Sequence, residues 1–311
     1  MSAGDLPSSV VLQEEGPREG FQSEAAVAVS AKLELIHALA ETGLLDINCV
    51  SFVDPRRVPQ MADAEEVAAG IRRKPGVRYT GIWLNGAGFE RAAASGLDLV
   101  PNVFTSVSSA FAQRNNGCSS AELTRKQGAM LERYRAAGMR VAAAHVFTAF
   151  GCHYEGRVVP AQAVAAVQDL LDVCAEHDQQ PRVIYLCDTV GAANPGSVRQ
   201  LLHQARSRWP GQEFALHLHD TRGMGLANVL AGLQYGVRRF DTSIGGLGGC
   251  PFAGNKAAAG NVCTEDVAFM CEEMGIATGL DLDALLRCAD LAEEIVGHPL
   301  PGKFRKAGRI Q

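Results

Sequence analysis

Two histidines placed two residues apart are the strongest candidates for chemistry in this sequence of 311 residues. His217 and His219 fall in the stretch Phe214–Asp220, whose apolar pattern is typical of a buried β-strand. Residues two apart in a strand point to the same face, so the two imidazoles would lie side by side, roughly 6–7 Å apart at the backbone. Such a pair can bind one metal ion. The alternative is one core histidine and one surface histidine at a strand end.

Strand-like and helical segments alternate along the whole chain and would supply the elements that position these histidines. The predicted strands are Val10–Glu15, Leu45–Phe52, Val77–Leu84, Leu97–Thr105, Arg140–Thr148, Arg182–Thr189, Phe214–Asp220 and Arg238–Ile244. The predicted helices are Glu24–Thr42, Ala64–Arg73, Gly88–Ser95, Ser120–Ala137, Ala161–Glu176, Pro195–Arg208, Leu226–Tyr235, Glu265–Met274 and Leu282–Val296.

Eight strands, each followed by a helix, predict an α/β fold, a (β/α)8 TIM barrel with a C-terminal helical extension. An open doubly wound sheet would need a phosphate-binding glycine turn after the first strand, and the segment 16–20 does not have that pattern. We expect a single domain over residues 1–311. The barrel would lie at about 10–262 and the C-terminal helices at about 263–311.

In such a barrel, the catalytic groups lie where the strands end. Arg18 and Glu19 follow the first predicted strand, Asp188 lies at the end of the sixth, and Cys250 and Asn261 follow the eighth. One carboxylate, two imidazoles and one amide oxygen form a mixed nitrogen and oxygen ligand set. That set favours a divalent cation, for which we expect Mg²⁺ or Mn²⁺, with Co²⁺ and Zn²⁺ as alternatives. No cysteine lies beside the histidines, which argues against a closed structural zinc site.

The composition excludes several classes of function. The net charge is −5 with mixed signs and without a run of basic residues, so we expect no nucleic-acid partner. No apolar run is long enough to span a bilayer, so we expect no membrane partner. The N-terminus lacks the pattern of a targeting peptide, and the nine cysteines include no CxxC pair. We therefore expect reduced thiols and a cytoplasmic location.

Motifs along nearly the whole chain, from about residue 12 to residue 308, resemble those of the 3-hydroxy-3-methylglutaryl-CoA lyase family of metal-dependent TIM-barrel enzymes. They are Glu14-x-Gly-Pro-Arg-Glu-Gly-Phe-Gln22, Ser51-Phe-Val-x-Pro, Val58-Pro-Gln-Met61, Gly151-Cys-x-Tyr-Glu-Gly156, Asp188-Thr-x-Gly191, His217-x-His-Asp-Thr221, Gly245-Gly-Leu-Gly-Gly-Cys-Pro251 and Gly260-Asn-x-x-Thr-Glu-Asp266. The glycine-rich loop with its cysteine is the most specific of them.

The resemblance implies a retro-Claisen cleavage of a branched 3-hydroxyacyl-CoA, which gives acetyl-CoA and a keto acid, by an enzyme that forms a homodimer. The residues it implies for each role are Glu19, His217, His219 and Asn261 for the metal; Arg18, Asp188, His217 and Cys250 for catalysis; and Gln22, Asn48, Ser51 and Glu14 for the substrate. It implies that Arg18 faces the thioester carbonyl, that Asp188 does acid–base work and that Cys250 sits on a mobile lid.

Two departures from the family pattern bear on the substrate. Glu19 stands where the family has Asp, and Asn48 stands where it has a Glu that pairs with the arginine. By strand parity, Glu14 lies on the face of Arg18 and could replace the missing carboxylate. We therefore expect a substrate that differs from 3-hydroxy-3-methylglutaryl-CoA but stays close to it.

Two other functions remain as alternatives. One is a Claisen-type condensing synthase of the 2-isopropylmalate type. Those enzymes carry a long C-terminal regulatory region, whereas this chain stops at Gln311, which disfavours them. The other is a divergent paralogue that binds a metal or CoA with weak lyase activity or none.

Overall fold

The computed structural model describes residues 6–248 and 260–309, where all eight predicted strands are present within a few residues of their predicted bounds. The strands are β1 (Val11–Glu14), β2 (Asp46–Ser51), β3 (Arg78–Ile82), β4 (Asn102–Ser106), β5 (Ala143–Phe147), β6 (Gly151–Cys152), β7 (Gly156–Arg157), β8 (Val183–Cys187), β9 (Glu213–His217) and β10 (Arg239–Thr242). The short strands β6 and β7 form an antiparallel hairpin that the sequence analysis did not predict.

The helices of the described residues also follow the predicted order. They are α1 (Val29–Ala40), α2 (Ala64–Gly70), α3 (Gly86–Ala94), α4 (Ser109–Asn116), α5 (Ser120–Ala136), α6 (Pro160–Glu176), α7 (Pro195–Arg208), α8 (Gly225–Gln234), α9 (Thr264–Glu273), α10 (Leu282–Val296) and α11 (Phe304–Ala307). Helices α4 and α11 were not predicted. In α4, the Ser108 hydroxyl accepts the Phe111 N–H at the start, and Gly117 ends the helix in the left-handed conformation. None of these helices combines the length and the apolarity needed to cross a bilayer.

The described chain forms two compact units, each with four parallel strands. The central unit, mainly residues 100–239, contains a sheet with the strand order β9-β8-β5-β4. The terminal unit, residues 8–99 and the described residues from 240 onward, contains the order β3-β2-β1-β10. Parallel neighbours cannot be joined by a tight turn, so a helix lies between successive strands of each sheet. The single-domain organisation stays a prediction.

In the central unit, alternate side chains of β5, β8 and β9 form one face that leads to the end of β9. Tyr185 is in register with His145 on one side and with Ala215 on the other. The rings of His145 and Tyr185 stack with their centroids 4.6 Å apart. Cys187 is in register with His217 two residues further along. This largely apolar face therefore packs directly beneath the first of the two candidate histidines.

Candidate active site

The two histidines of the central unit lie with their rings together at the end of β9. Their Nε2 atoms are 3.1 Å apart, and both side chains are buried. The predicted convergence of the imidazoles is confirmed, although β9 ends at His217 and His219 lies beyond the strand. Two neutral imidazoles in this arrangement can share one proton, or both can direct a lone pair toward one cation.

Asp188 follows β8 in the same unit and closes the turn that begins there. Its Oδ1 accepts hydrogen bonds from the N–H groups of Ala192 at 2.7 Å and Ala193 at 3.1 Å, and its own N–H donates to the His217 carbonyl at 2.8 Å. Burial raises the pKa of Asp188 to about 6, against the opposing effect of His219 and the two amides. The carboxyl group can therefore exchange a proton near neutral pH, and its acid–base role stays a prediction.

In the terminal unit, Arg18 and Glu19 lie in a π-helix at Gly16–Gly20 that follows β1 directly. Three successive N–H groups, those of Arg18, Glu19 and Gly20, point to the carbonyl of Glu15. Single π-turns of this kind are frequent at functional sites. Here the turn places Arg18 Nη1 2.8 Å from Glu19 Oε2. A cation and a carboxylate are thus presented together at the end of a strand.

The main carboxylate partner of Arg18 is Glu15, and the predicted pairing of Arg18 with Glu14 is wrong. Arg18 Nη2 makes a salt bridge with Glu15 Oε2, and Asn48 Nδ2 donates to both Glu15 oxygens at 3.2 Å. Strand parity gave the wrong residue because the chain is helical between Glu15 and Arg18, where positions three apart are neighbours. Burial alone would lower the pKa of Arg18, but Glu15 and Glu19 outweigh it and raise that pKa, so the guanidinium stays charged.

Glu14 instead connects β1 to the segment that follows β10. Its carboxyl group accepts the N–H of Gly16 at 2.7 Å and of Ile244 at 2.9 Å, and the Thr264 hydroxyl lies 2.6 Å from Oε2. The side chain is fully buried. Burial also raises the pKa of Glu14 to about 7, because desolvation disfavours the charged form more than these hydrogen bonds favour it.

Asn261 is buried in the terminal unit with an unused amide. Within the described residues, neither Oδ1 nor Nδ2 has a hydrogen-bond partner. A Cβ atom on Gly248 would lie 3.6 Å from both Asn261 Nδ2 and the Glu19 carbonyl oxygen, so the amide lies close to the π-helix. A buried polar group without a partner is costly, which makes this amide a candidate ligand group.

For the remaining predicted site residues, the structure shows fewer contacts that bear on their role. Ser51 is the last residue of β2, and its buried hydroxyl has no hydrogen-bond partner in the described part of the chain. Gln22 follows the π-helix and likewise has a buried oxygen, Oε1, without a partner there. Cys250 lies outside the described residues. Glu15 was not predicted as a site residue, and its only signal in the sequence is the doubled carboxylate at the end of the first strand.

Comparison with known proteins gives matches over almost the entire chain. The model of the HMGL-like family matches residues 9–292. A 3-hydroxy-3-isohexenylglutaryl-CoA/hydroxymethylglutaryl-CoA lyase of Pseudomonas aeruginosa is 39% identical over 305 residues, which is 97% of this chain and 98% of the relative. The chain is therefore similar to a lyase whose name includes two branched CoA esters.

Solved structures agree with the sequence matches. The HMG-CoA lyase of Bacillus subtilis has a TM-score of 0.90 and 37% identity, with 98% of this chain and 99% of that chain covered. An HMG-CoA lyase of Acinetobacter baumannii in complex with coenzyme A and 3-methylmalate has a TM-score of 0.87 and 37% identity, with coverage of 97% and 96%. These similarities confirm the predicted fold class, a (β/α)8 TIM barrel.

Proposed function

The chain belongs to the HMGL-like family and is a carbon–carbon lyase, and we propose that it cleaves a branched 3-hydroxyacyl-CoA to acetyl-CoA and a keto acid. The substrate would be 3-hydroxy-3-methylglutaryl-CoA or a close analogue. The observation that carries the proposal is the π-helix after β1, which presents Arg18 and Glu19 at a strand end within a chain of this family. A condensing synthase on the same fold is not favoured, because the relatives are lyases.

The proposed metal ligands are Glu19, His217, His219 and Asn261. Two features within the units support them: the imidazole Nε2 atoms lie 3.1 Å apart, and the buried Asn261 amide has no partner in the described residues. Mixed carboxylate, amide and imidazole donors suit Mg²⁺ or Mn²⁺, with Co²⁺ and Zn²⁺ as alternatives. When bound, the cation supplies a Lewis acid that lowers the pKa of the substrate's C3 hydroxyl.

The side chains of the protein would carry out the remaining steps. Asp188, whose pKa is about 6, would take part in removing the C3 hydroxyl proton, with His217 beside it. The C2–C3 bond then breaks, and its electron pair forms the enolate of the thioester. Arg18 stays protonated and would hold the developing enolate oxygen. Cys250 is proposed as the acid that protonates the enolate carbon to give acetyl-CoA.

Substrate contacts are proposed for Ser51 and Gln22, because each has a buried polar atom without a partner in the described residues. Asn48 would bind the substrate from β2, although its amide also donates a hydrogen bond to Glu15. The carboxyl group of Glu14 is already taken up by hydrogen bonds within the protein. A homodimer and a cytoplasmic location are also proposed. The location is supported by the free, buried state of all the described cysteines.

The proposal is tested with a panel of 3-hydroxyacyl-CoA esters in the presence of Mg²⁺ or Mn²⁺. The panel should include 3-hydroxy-3-methylglutaryl-CoA and esters with longer C3 branches, and acetyl-CoA is followed by mass spectrometry. We expect at least one branched CoA ester to yield acetyl-CoA and the matching keto acid. Turnover should be lower on 3-hydroxy-3-methylglutaryl-CoA than on an analogue with a different C3 branch. Ordinary turnover on 3-hydroxy-3-methylglutaryl-CoA would contradict the proposal that the substrate differs from it. If no ester in the panel gave acetyl-CoA, the proposed lyase activity would be wrong.

The variant C250S separates a lyase from a protein that only binds its ligand. A lyase should lose most of its turnover, because the hydroxyl of Ser is a far weaker acid than the thiol of Cys. The affinity for CoA should stay unchanged. C118S is the matched control, since Cys118 is a buried residue to which we assign no role. Full turnover in C250S would remove Cys250 from the mechanism.

A further inference from the structure

The carboxylate of Glu15 is enclosed by polar partners at the end of β1. Gln13 Nε2 donates to Oε1 at 2.8 Å, Asn48 Nδ2 donates to both oxygens at 3.2 Å, and Arg18 binds Oε2. The side chain is only 1% exposed, and these three partners occupy both of its carboxylate oxygens. A buried carboxylate is costly unless it is paired, and Arg18 is the cation that pairs with Glu15.

Arg18 is held by two carboxylates that differ in their freedom to move. Glu19 lies 2.8 Å from Nη1, with its side chain 16% exposed, and it is one of the proposed metal ligands. Glu15 follows directly after a strand and is fixed by Gln13 and Asn48. A guanidinium with Glu19 as its only partner would follow every movement of the metal ligand. Glu15 supplies a second contact that is independent of that movement.

Asn48 connects this arrangement to β2. Its Nδ2 spans both oxygens of the Glu15 carboxylate, and its own Oδ1 has no hydrogen-bond partner among the described residues. An aspartate at this position would place a second carboxylate about where the amide now donates. Glu15 and Asn48 therefore form an acid–amide pair whose two members can be exchanged by mutation with little change in volume.

We propose that Glu15 is a positioning residue of the lyase reaction, which fixes the guanidinium of Arg18 for the thioester oxygen while Asn48 fixes Glu15. This inference rests on the proposed function of Arg18. Glu15 does not touch the substrate, so its removal should change the placement of Arg18 and leave substrate binding largely intact. Misplacing a catalytic group by about 1 Å can cost about 10²-fold in rate.

The test is an exchange of the acid and the amide in the full-length protein, with the ester that the wild type cleaves. In E15Q we expect kcat to fall about 10²-fold while KM changes less than about threefold. N48D alone should also lower kcat, because it places two carboxylates side by side. The double variant E15Q/N48D should recover about tenfold relative to E15Q. Such a rescue is expected for two residues of one hydrogen-bond network, and the loss in kcat without a matching change in KM separates positioning from a purely structural role.

The control is D46N. Asp46, the first residue of β2, is also buried and also pairs with an arginine, Arg78. Its loss should leave kcat unchanged. A second readout is independent of turnover: nuclear magnetic resonance of labelled arginine, with the Arg18 signal assigned by its loss in R18K. Rotation of the Arg18 guanidinium should be slow in the wild type, faster in E15Q and slow again in E15Q/N48D.

The two readouts separate the failure of this inference from the failure of the proposed function. If the wild type cleaves its ester while E15Q keeps full kcat and slow guanidinium rotation, Glu15 is not a positioning residue and the lyase stands. If no ester is cleaved, the lyase proposal fails, and the rotation rates in E15Q and E15Q/N48D still decide whether Glu15 fixes Arg18. Equal loss of kcat in E15Q and D46N would also overturn the inference.

Discussion

Asn261 is a single residue whose proposed role as a metal ligand would come at the expense of the stability of the fold. Its buried amide has no hydrogen-bond partner in the described residues, which costs stability unless something binds it. In N261A, we expect Mn²⁺ affinity to fall at least about tenfold. The metal-free protein should keep its free energy of unfolding within about 1 kcal/mol, because the lost packing is offset by removal of the unpaired amide. Mn²⁺ titration by electron paramagnetic resonance and urea unfolding with a chelator measure the two effects.

The matched control for this prediction is N85A, which should show the reverse pattern. The Asn85 side chain caps α3 by accepting the Gly88 N–H at 2.9 Å. Its loss should cost about 1 kcal/mol of stability and leave Mn²⁺ affinity unchanged. If N261A instead destabilised the metal-free protein and kept its Mn²⁺ affinity, Asn261 would be an ordinary loop residue.

Single residues also show where sequence reasoning succeeds and where it fails. The convergence of His217 and His219 was predicted from the alternation of a strand, and the structure confirms it although the strand itself ends at His217. The carboxylate partner of Arg18 could not be assigned in this way, because Arg18 lies in a π-helix that follows the strand and that the sequence pattern did not predict. The sequence also could not predict that the Asn261 amide lacks hydrogen-bond partners among the described residues, because this depends on what surrounds the side chain in space.

At the scale of elements, the segment after β10 is fixed by buried carboxylates at its start. Glu14 accepts the N–H of Ile244, and Glu265 accepts the N–H of Gly245 at 3.0 Å. Gly245 has a φ of 65°, and a Cβ atom there would lie 2.5 Å from Cδ1 of the buried Leu300. This start of the glycine-rich segment is thus a fixed turn.

The turn predicts different costs for two alanine substitutions with similar backbone conformations. Gly297 has a φ of 73°, and nothing lies within 4 Å of a Cβ atom there. G297A should cost about 1 kcal/mol, the penalty of a left-handed conformation. G245A should cost about 1–3 kcal/mol more, because the buried Leu300 must also move. Urea unfolding of both variants measures the difference, and equal losses would mean that the turn adjusts without strain.

For the molecule as a whole, the order of strands and helices was predictable because it depends on local apolar patterns. The matches to solved lyases then confirm the barrel that the count of eight strands predicted. The element bounds were less predictable: α1 begins at Val29 instead of Glu24. The burial of Glu14 was also unforeseen, because it depends on Ile244 and Thr264, which are distant in sequence. Contacts of this kind also determine how the stability of the whole protein responds to pH.

The buried carboxyl groups should make the folded protein less stable as the pH rises through the weakly acidic range. Burial raises the pKa of Glu14 from 4.5 to about 7 and that of Glu265 from 4.5 to about 7. The folded protein thus binds these protons more tightly than the unfolded chain does. The resulting stability is fully present below pH 4.5 and is lost as the pH rises to about 7. For Glu14 alone, this stabilisation amounts to about 3 kcal/mol.

The variant E14Q tests this effect, because its side chain cannot ionise. Between pH 4.5 and 8, the free energy of unfolding of E14Q should fall less than that of the wild type, by up to about 3 kcal/mol. Urea unfolding across this range measures the effect. D54N is the control. Hydrogen bonds from Arg56 lower the pKa of the half-exposed Asp54 to about 2, so the effect of D54N on stability should be constant in this range. Curves for E14Q and the wild type that stay parallel would show that the pKa of Glu14 is not raised in the folded protein.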